Sequence, residues 1–235
     1  MSKHRPLTAV AVGLSALMLS GCAGSASPGV GASVGDETIS TSRINDVTQN
    51  LCTAFSDQIE AESADVALSE IRQIAVQLMV EGAQAEQIAE DYDVTTSGTY
   101  QNAVGESTRA AALMPEDVRQ DYIELASTPA LVADVEAQVG RAKLMDEGIA
   151  EPTEEQAAQA GADVFTTWTG ANDIELDPKY GLEVRDGTLT PVDTSLSFAV
   201  SDEARAGLAN LAAEPDPEAT SAYARSLPAS QRCGD

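Results

Sequence analysis

The sequence predicts a mainly α-helical fold with a small antiparallel β element near each end. Three observations point there. The chain has 235 residues and is 43% hydrophobic but only 4% aromatic. Its core must therefore be built from Ala, Val, Leu and Ile, which suit close helix-on-helix packing. Between 64 and 92, apolar or small residues recur at helical spacing. Strand alternation with turn signals occurs only around 32–40 and 173–192.

In chain order, residues 1–21 read as a signal peptide. Lys3, His4 and Arg5 give a positive start, and 7–19 is an apolar run of 13 residues. That is shorter than the roughly 20 residues a spanning helix needs, and right for a secretory signal. It ends in Leu19-Ser20-Gly21-Cys22, which resembles the bacterial lipobox. The resemblance implies cleavage between Gly21 and Cys22 and acylation of the Cys22 thiol; the alternative is a plain secretory signal with a chance cysteine. Residues 22–33, rich in Gly, Ala and Ser, read as a lipidated flexible tether. One domain is expected over 34–235.

Within it, 32–40 reads as two very short strands around Gly35-Asp36. Thr41 or Ser42 is expected to cap a helix to about Ser56, with Ile44, Val47, Leu51 and Phe55 on its apolar face. Ser63 is the expected N-cap of a helix over 64–92, whose stripe is Leu68, Ile71, Ala75, Leu78, Gly82, Ala85, Ala89 and Tyr92. A shorter helix is expected over 97–113. Pro115 opens another through Val118, Tyr122 and Leu125. Thr128-Pro129 predicts a break or kink before it resumes through Leu131, Val135 and Val139. Thr153 to Gln156 is a capping box opening a helix to about Trp168, ended by Gly170. Residues 173–176 alternate as a strand ended by Asp177-Pro178, and a β-hairpin is expected around 173–192, with Leu182-Glu183-Val184 and Thr188-Leu189-Thr190 flanking the Asp186-Gly187 turn. A helix from Ser201 through Leu208 and Leu211, stopped by Pro215 and Pro217, and a last short one over 218–226 complete the chain.

Charge narrows the function. With 13 basic and 38 acidic residues the net charge is −25, which excludes nucleic-acid or anionic-membrane binding by charge. Removal of 1–21 leaves 11 basic against 38 acidic residues and, with His4 gone, no histidine. A Ser-His-Asp triad and histidine metal sites are then excluded. With Cys22 committed to lipid, Cys52 and Cys233 remain in an oxidising compartment and are expected to form a disulfide. A reactive thiol pair is the alternative, without a C-x-x-C motif to favour it.

A Val34-Gly35-Asp36-Glu37-Thr38-Ile39-Ser40 hairpin after the tether, then a helix, then a long amphipathic helix, resembles the N-terminal domain of SurA-type periplasmic chaperones. Actinobacterial lipoproteins carrying that domain are more similar still. They share a segment like Ile174-Glu175-Leu176-Asp177-Pro178-Lys179-Tyr180-Gly181 and often a C-terminal cysteine like Cys233. The resemblance implies a helical chaperone core. It does not extend to the parvulin prolyl isomerase domain that many members carry, because that needs a further sheet and histidines this chain lacks.

The expected function is therefore non-enzymatic: a lipoprotein on the outer face of the cytoplasmic membrane that binds unfolded or secreted polypeptides. A scaffold for one envelope complex is the other reading. Leu68, Ile71, Leu78, Tyr92 and Trp168 are the candidate client groove, against an internal helix seam. Pro178, Lys179 and Tyr180 are a candidate turn or binding loop. Neither cofactor nor metal is expected. Asp91 with Asp93, and Asp173 with Glu175 and Asp177, have spacings compatible with calcium but lack a twelve-residue calcium loop.

Overall fold

A computed structural model describes residues 28–185, 187–192, 201, 202, 205 and 217–233. The expected signal peptide with Gly21 and Cys22 lies outside the described residues. So does most of the expected helix through Leu208 and Leu211. The described protein is mainly helical with small antiparallel sheets.

Two strands open it, β1 (Val30–Val34) and β2 (Glu37–Ser40), joined by the two-residue turn Gly35-Asp36. Gly35 has φ +54°, which favours glycine there. This corrects the expected tether: residues 30–33 are strand, and Ala32 and Val34 are buried. The small residues that suggested flexibility serve packing instead. A Cβ on Gly31 would stand 2.3 Å from Ile44 Cδ1 and 3.0 Å from Tyr180 Oη.

Helix α1 (Thr41–Glu62) is capped by Ser40, whose Oγ accepts from Arg43 N at 3.1 Å. The cap lies one residue before the expected Thr41 because Ser40 still holds the extended backbone of β2. Ile44, Val47 and Leu51 are buried as expected, and the helix runs past Ser56. Ser63 is not an N-cap. It is the left-handed C-cap of α1, with φ +51°, and its N–H bonds back to Glu60. A short strand β3 (Val66–Ala67) follows, and α2 (Leu68–Asp91) begins after it.

Helix α2 buries a wider surface than the expected stripe. Ile71, Ala75 and Ala85 are buried, but so are Val76, Val80, Ala83, Gln84 and Ile88. The cause is tertiary: α2 packs on α1 and α4 and also on β1 and α5, so more than one face is covered.

Helix α3 (Gly98–Ala110) is capped by Ser97 and followed by a 3-10 turn at Ala111–Leu113. Helix α4 (Glu116–Asp146) then runs through Pro129 without ending, so of the expected break or kink the break is absent. Proline there removes one backbone donor, at a typical cost of about 3 kcal/mol. Burial on either side of it offsets this: Leu125, Thr128, Leu131 and Val135 are all inside. The hydroxyls of Ser127 and Thr128 bond back to the carbonyls of Ile123 (2.7 Å) and Glu124 (3.1 Å).

Helix α5 (Glu154–Ala171) has the expected capping box: Thr153 Oγ1 accepts from Gln156 N, and Gln156 Oε1 accepts from Thr153 N. It continues past Gly170, around which a Cβ would meet nothing within 4 Å. Its seam with α4 is the closest helix contact among the described residues. Gly140 and Gly161 are both buried there, and each admits the partner helix's backbone.

Strand β4 (Ile174–Leu176) pairs antiparallel with β1, giving a sheet of order β2-β1-β4. The expected strand at 173–176 is present, and it belongs to this sheet rather than to the hairpin. Only β5 (Leu182–Arg185) and β6 (Thr188–Pro191) form a hairpin, with Gly187 at φ +79° in its turn. Helix α6 (Pro217–Ser226) starts on Pro217, which fits a first helical turn. Finally β7 (Arg232–Cys233) pairs with β3. Cys52 and Cys233 form a disulfide with Cα atoms 5.3 Å apart.

Two apolar clusters hold the fold. The larger contains Val34, Ile44, Val80, Ile88, Val135, Val139, Phe165 and Trp168. The smaller surrounds the disulfide with Val47, Leu51, Ile71, Ala75 and Leu125.

Candidate functional site

A cleft of about 260 Å³ opens where β2, α2 and α4 meet. Residues 37–40 of β2 and Arg43 form one wall. Leu78, Met79, Gly82, Ala83 and Glu86 of α2 form the floor. Glu124, Leu125, Thr128 and Leu131 of α4 form another wall, and Tyr100 of α3 completes the lining. Each row follows from helical geometry: 78, 82 and 86 lie one turn apart on α2, and 124, 128 and 131 do so on α4. The absent side chain at Gly82 leaves the floor open. A Cβ there would only touch Thr128, at 3.6 and 3.7 Å.

The walls are held by polar anchors. Arg43 Nη1 donates to Asp121 Oδ1 at 2.7 Å and Nη2 donates to Glu124 Oε2 at 3.2 Å. Asn50 Nδ2 donates to Asp121 Oδ2 at 2.8 Å. Asp121 is buried and so ties α1 to α4 through two charge-assisted bonds. Asp134 likewise holds the start of α3. It accepts from Ser97 N at 2.7 Å, from Ser97 Oγ, and from Gln138 Nε2 at 3.0 Å.

The cleft is electronegative. Glu37, Glu86 and Glu124 face it against the single guanidinium of Arg43, whose shorter ion pair is with Asp121 rather than Glu124. Burial, then the neighbouring charges of Glu37 and Glu124, raises the Glu86 pKa above its ordinary value. The Tyr100 phenol is raised too, by burial and then by Glu86 and Glu124. Such an arrangement favours a cation above an apolar floor. Two of its hydroxyls are engaged locally: Ser40 Oγ accepts from Arg43 N, and Thr128 Oγ1 donates to a backbone carbonyl.

The sequence-derived groove residues are not brought together. Leu78 lines the cleft. Leu68 and Ile71 pack in the cluster around the disulfide. Trp168 is buried in the larger core, where its Nε1–H donates to Asp91 at 3.0 Å. Tyr92 caps the end of α2 and is 44% exposed. Of the stripe, only Leu78 and Gly82 line the opening. Glu86 continues their row by one more turn, which is a signal the sequence does carry. Glu37, Arg43, Tyr100 and Glu124 come from distant segments and carry none.

The Pro178–Tyr180 segment forms a single 3-10 turn. Asp177 Oδ1 accepts from Lys179 N at 3.1 Å, and Lys179 Nζ pairs with Asp177 Oδ2 at 2.6 Å. That ammonium also reaches Thr41 Oγ1 at 3.3 Å and lies 4.9 Å from the Tyr180 ring centroid. Burial raises the Asp177 pKa, but bonds from Lys179 outweigh it and leave the carboxyl below its ordinary value. The bond to Asp177 raises the Lys179 pKa in turn. Tyr180 is buried in the core. Among the described residues, no group of three or more His, Cys, Asp or Glu side chains is arranged to hold a metal ion. None of their helices is long and apolar enough to cross a membrane.

No family model, curated protein or solved structure matches the chain.

Proposed function

We propose that this protein binds segments of unfolded or partly folded secreted polypeptide without catalysis, and that it does so as a lipoprotein acylated at Cys22 on the outer face of the cytoplasmic membrane. The observation that carries the binding reading is the open cleft, lined by apolar residues of α2 and α4 and by the carboxylates of Glu37, Glu86 and Glu124. Apolar side chains of a client gain from burial on Leu78, Met79 and Leu131, while Glu37, Glu86 and Glu124 select basic segments. The Cys52–Cys233 disulfide supports an oxidising, exported setting. A β-hairpin leading through α1 into the long amphipathic α2 supports kinship with the SurA-type chaperone core.

The test uses the full chain in detergent with its disulfide intact, titrated with several unrelated unfolded secreted polypeptides. Micromolar binding that vanishes when the clients fold is the expected result. Gly82→Leu fills the floor of the cleft and should abolish binding while leaving the unfolding midpoint unchanged or raised. If no client binds, the reading is wrong; if one native envelope protein is captured instead, the protein is a scaffold.

A further inference from the structure

The sheet order β2-β1-β4 leaves β2 with one partner. Its hairpin to β1 closes on the pair Val34 and Glu37 across a two-residue turn. Such a closing pair is hydrogen-bonded, so the next pair, Ser33 with Thr38, is not. The N–H and C=O of Thr38 therefore point away from β1, as an exposed strand edge does. That edge borders the cleft, since residues 37–40 are among its lining. Exposed strand edges are natural sites for adding a further strand from a peptide. Side chains alternate along an added strand, so every second one faces the cleft.

The charge of the cleft identifies the side chains it takes. Glu86 feels both Glu37 and Glu124, and Arg43 is engaged by the buried Asp121 at 2.7 Å. We propose that the edge of β2 captures an extended basic polypeptide segment as an added antiparallel or parallel strand, with a Lys or Arg of that segment seated among Glu37, Glu86 and Glu124. This rests on the polypeptide-binding reading and gives it a binding mode and a preferred segment class. The apolar residues between the basic ones are not selected by charge, so the preference is for a pattern of alternating charge and not for a unique sequence.

The experiment uses a fluorescein-labelled nine-residue peptide alternating Val and Lys, titrated into the full chain by anisotropy. Three companions are measured: the same peptide with Glu for Lys, one N-methylated at alternate backbone positions, and the Lys peptide against a Glu37→Gln/Glu86→Gln variant. The Lys peptide should bind. Its Glu counterpart and the charge-depleted variant should each weaken binding about tenfold or more, the scale of one charge-assisted hydrogen bond. N-methylation should abolish it, and binding should slow amide exchange at Thr38. Equal affinity of the N-methylated and unmodified peptides, with unfolded clients still bound, would overturn strand addition and leave the polypeptide-binding reading standing. Failure of every peptide and every client would overturn both. A concentration-dependent dimer of the chain that excludes the peptide would assign the edge to a second copy and overturn the proposal.

Discussion

Gly140 and Gly161 make the α4–α5 seam the most sensitive point of the fold. A Cβ added at Gly140 would lie 1.9 Å from Ala157 O, 2.5 Å from Gly161 N and 2.9 Å from Ala157 C. All three are backbone atoms, so no side-chain rotation relieves the clash. Restoring ordinary contact at 3.4 Å requires the helices to separate by about 1.5 Å along that line. Overpacking of a rigid contact typically costs about 1–3 kcal/mol, and backbone obstruction belongs at or above the top of that range. The better helix propensity of Ala returns about 1 kcal/mol. The net expectation for Gly140→Ala is a loss of about 2 kcal/mol or more. With a urea dependence of about 2 kcal/mol per molar, the unfolding midpoint falls by about 1 M. Trp168, buried on α5, is the only tryptophan in the chain and reports the transition by fluorescence. Gly105→Ala on α3 is the control, since its Cβ would meet only a flexible Arg109 nitrogen at 3.8 Å. It should raise stability by about 0.5–1 kcal/mol. An unchanged or raised midpoint for Gly140→Ala would refute the close-seam argument.

Further outcomes follow from the same structure. Replacing Cys52 and Cys233 together by Ser removes a link across 181 residues of sequence; a loss of about 2–4 kcal/mol is expected, against a chain-entropy ceiling of about 5 kcal/mol, read by thermal unfolding with and without reductant. Asp134→Ala removes the bonds that hold Ser97 and should cost about 1–2 kcal/mol, with amide exchange rising across 98–110 before it rises in α5. Pro129→Ala restores a donor to the interior of α4 and should stabilise by about 1–3 kcal/mol after the loss of proline's unfolded-state constraint, measured by urea denaturation. Glu86→Gln probes a carboxyl whose folded pKa stands above its ordinary 4.5. The folded state holds that proton more tightly than the unfolded chain, so the group's contribution is complete below 4.5 and is lost as pH rises through the folded value. The variant should therefore be more stable than the parent at neutral pH, and the gap should close as the pH is lowered toward 4.5.

The elements most legible in the sequence were those whose signals are local. The capping box at Thr153 and Gln156, the 98–110 helix after Ser97 and the Gly35-Asp36 turn each depend on residues within a few positions of one another. Long-range forces decided the remainder. Ser63 offers the side chain of an N-cap, but tertiary pairing of β3 with β7 begins two residues after Ala64 and delays α2 to Leu68. Ile174, Glu175 and Leu176 alternate as a strand does, but their partner β1, with buried Ala32 and Val34, lies far away in the sequence. Thr128-Pro129 carries the local signature of a helix start, but packing of Leu125 and Leu131 on either side outweighs it.

The candidate site shows the same division more sharply. A stripe of small and apolar residues on α2 is visible as a pattern, but a pattern gives no direction, because α2 is covered on several sides. Which residues are open depends on where β2 and α4 stand, and those positions are set by the buried Asp121 between Arg43 and Asn50. Asp121 itself lies outside the cleft lining. It fixes the distance between the helix that follows β2 and helix α4, which forms another wall. A carboxylate sequestered there also commits the guanidinium of Arg43, the one cation facing the cleft among the described residues. One structural ion pair thus sets both the width of the opening and its negative charge. Neither consequence can be read from residues 43, 50 and 121 while their separation in space is unknown.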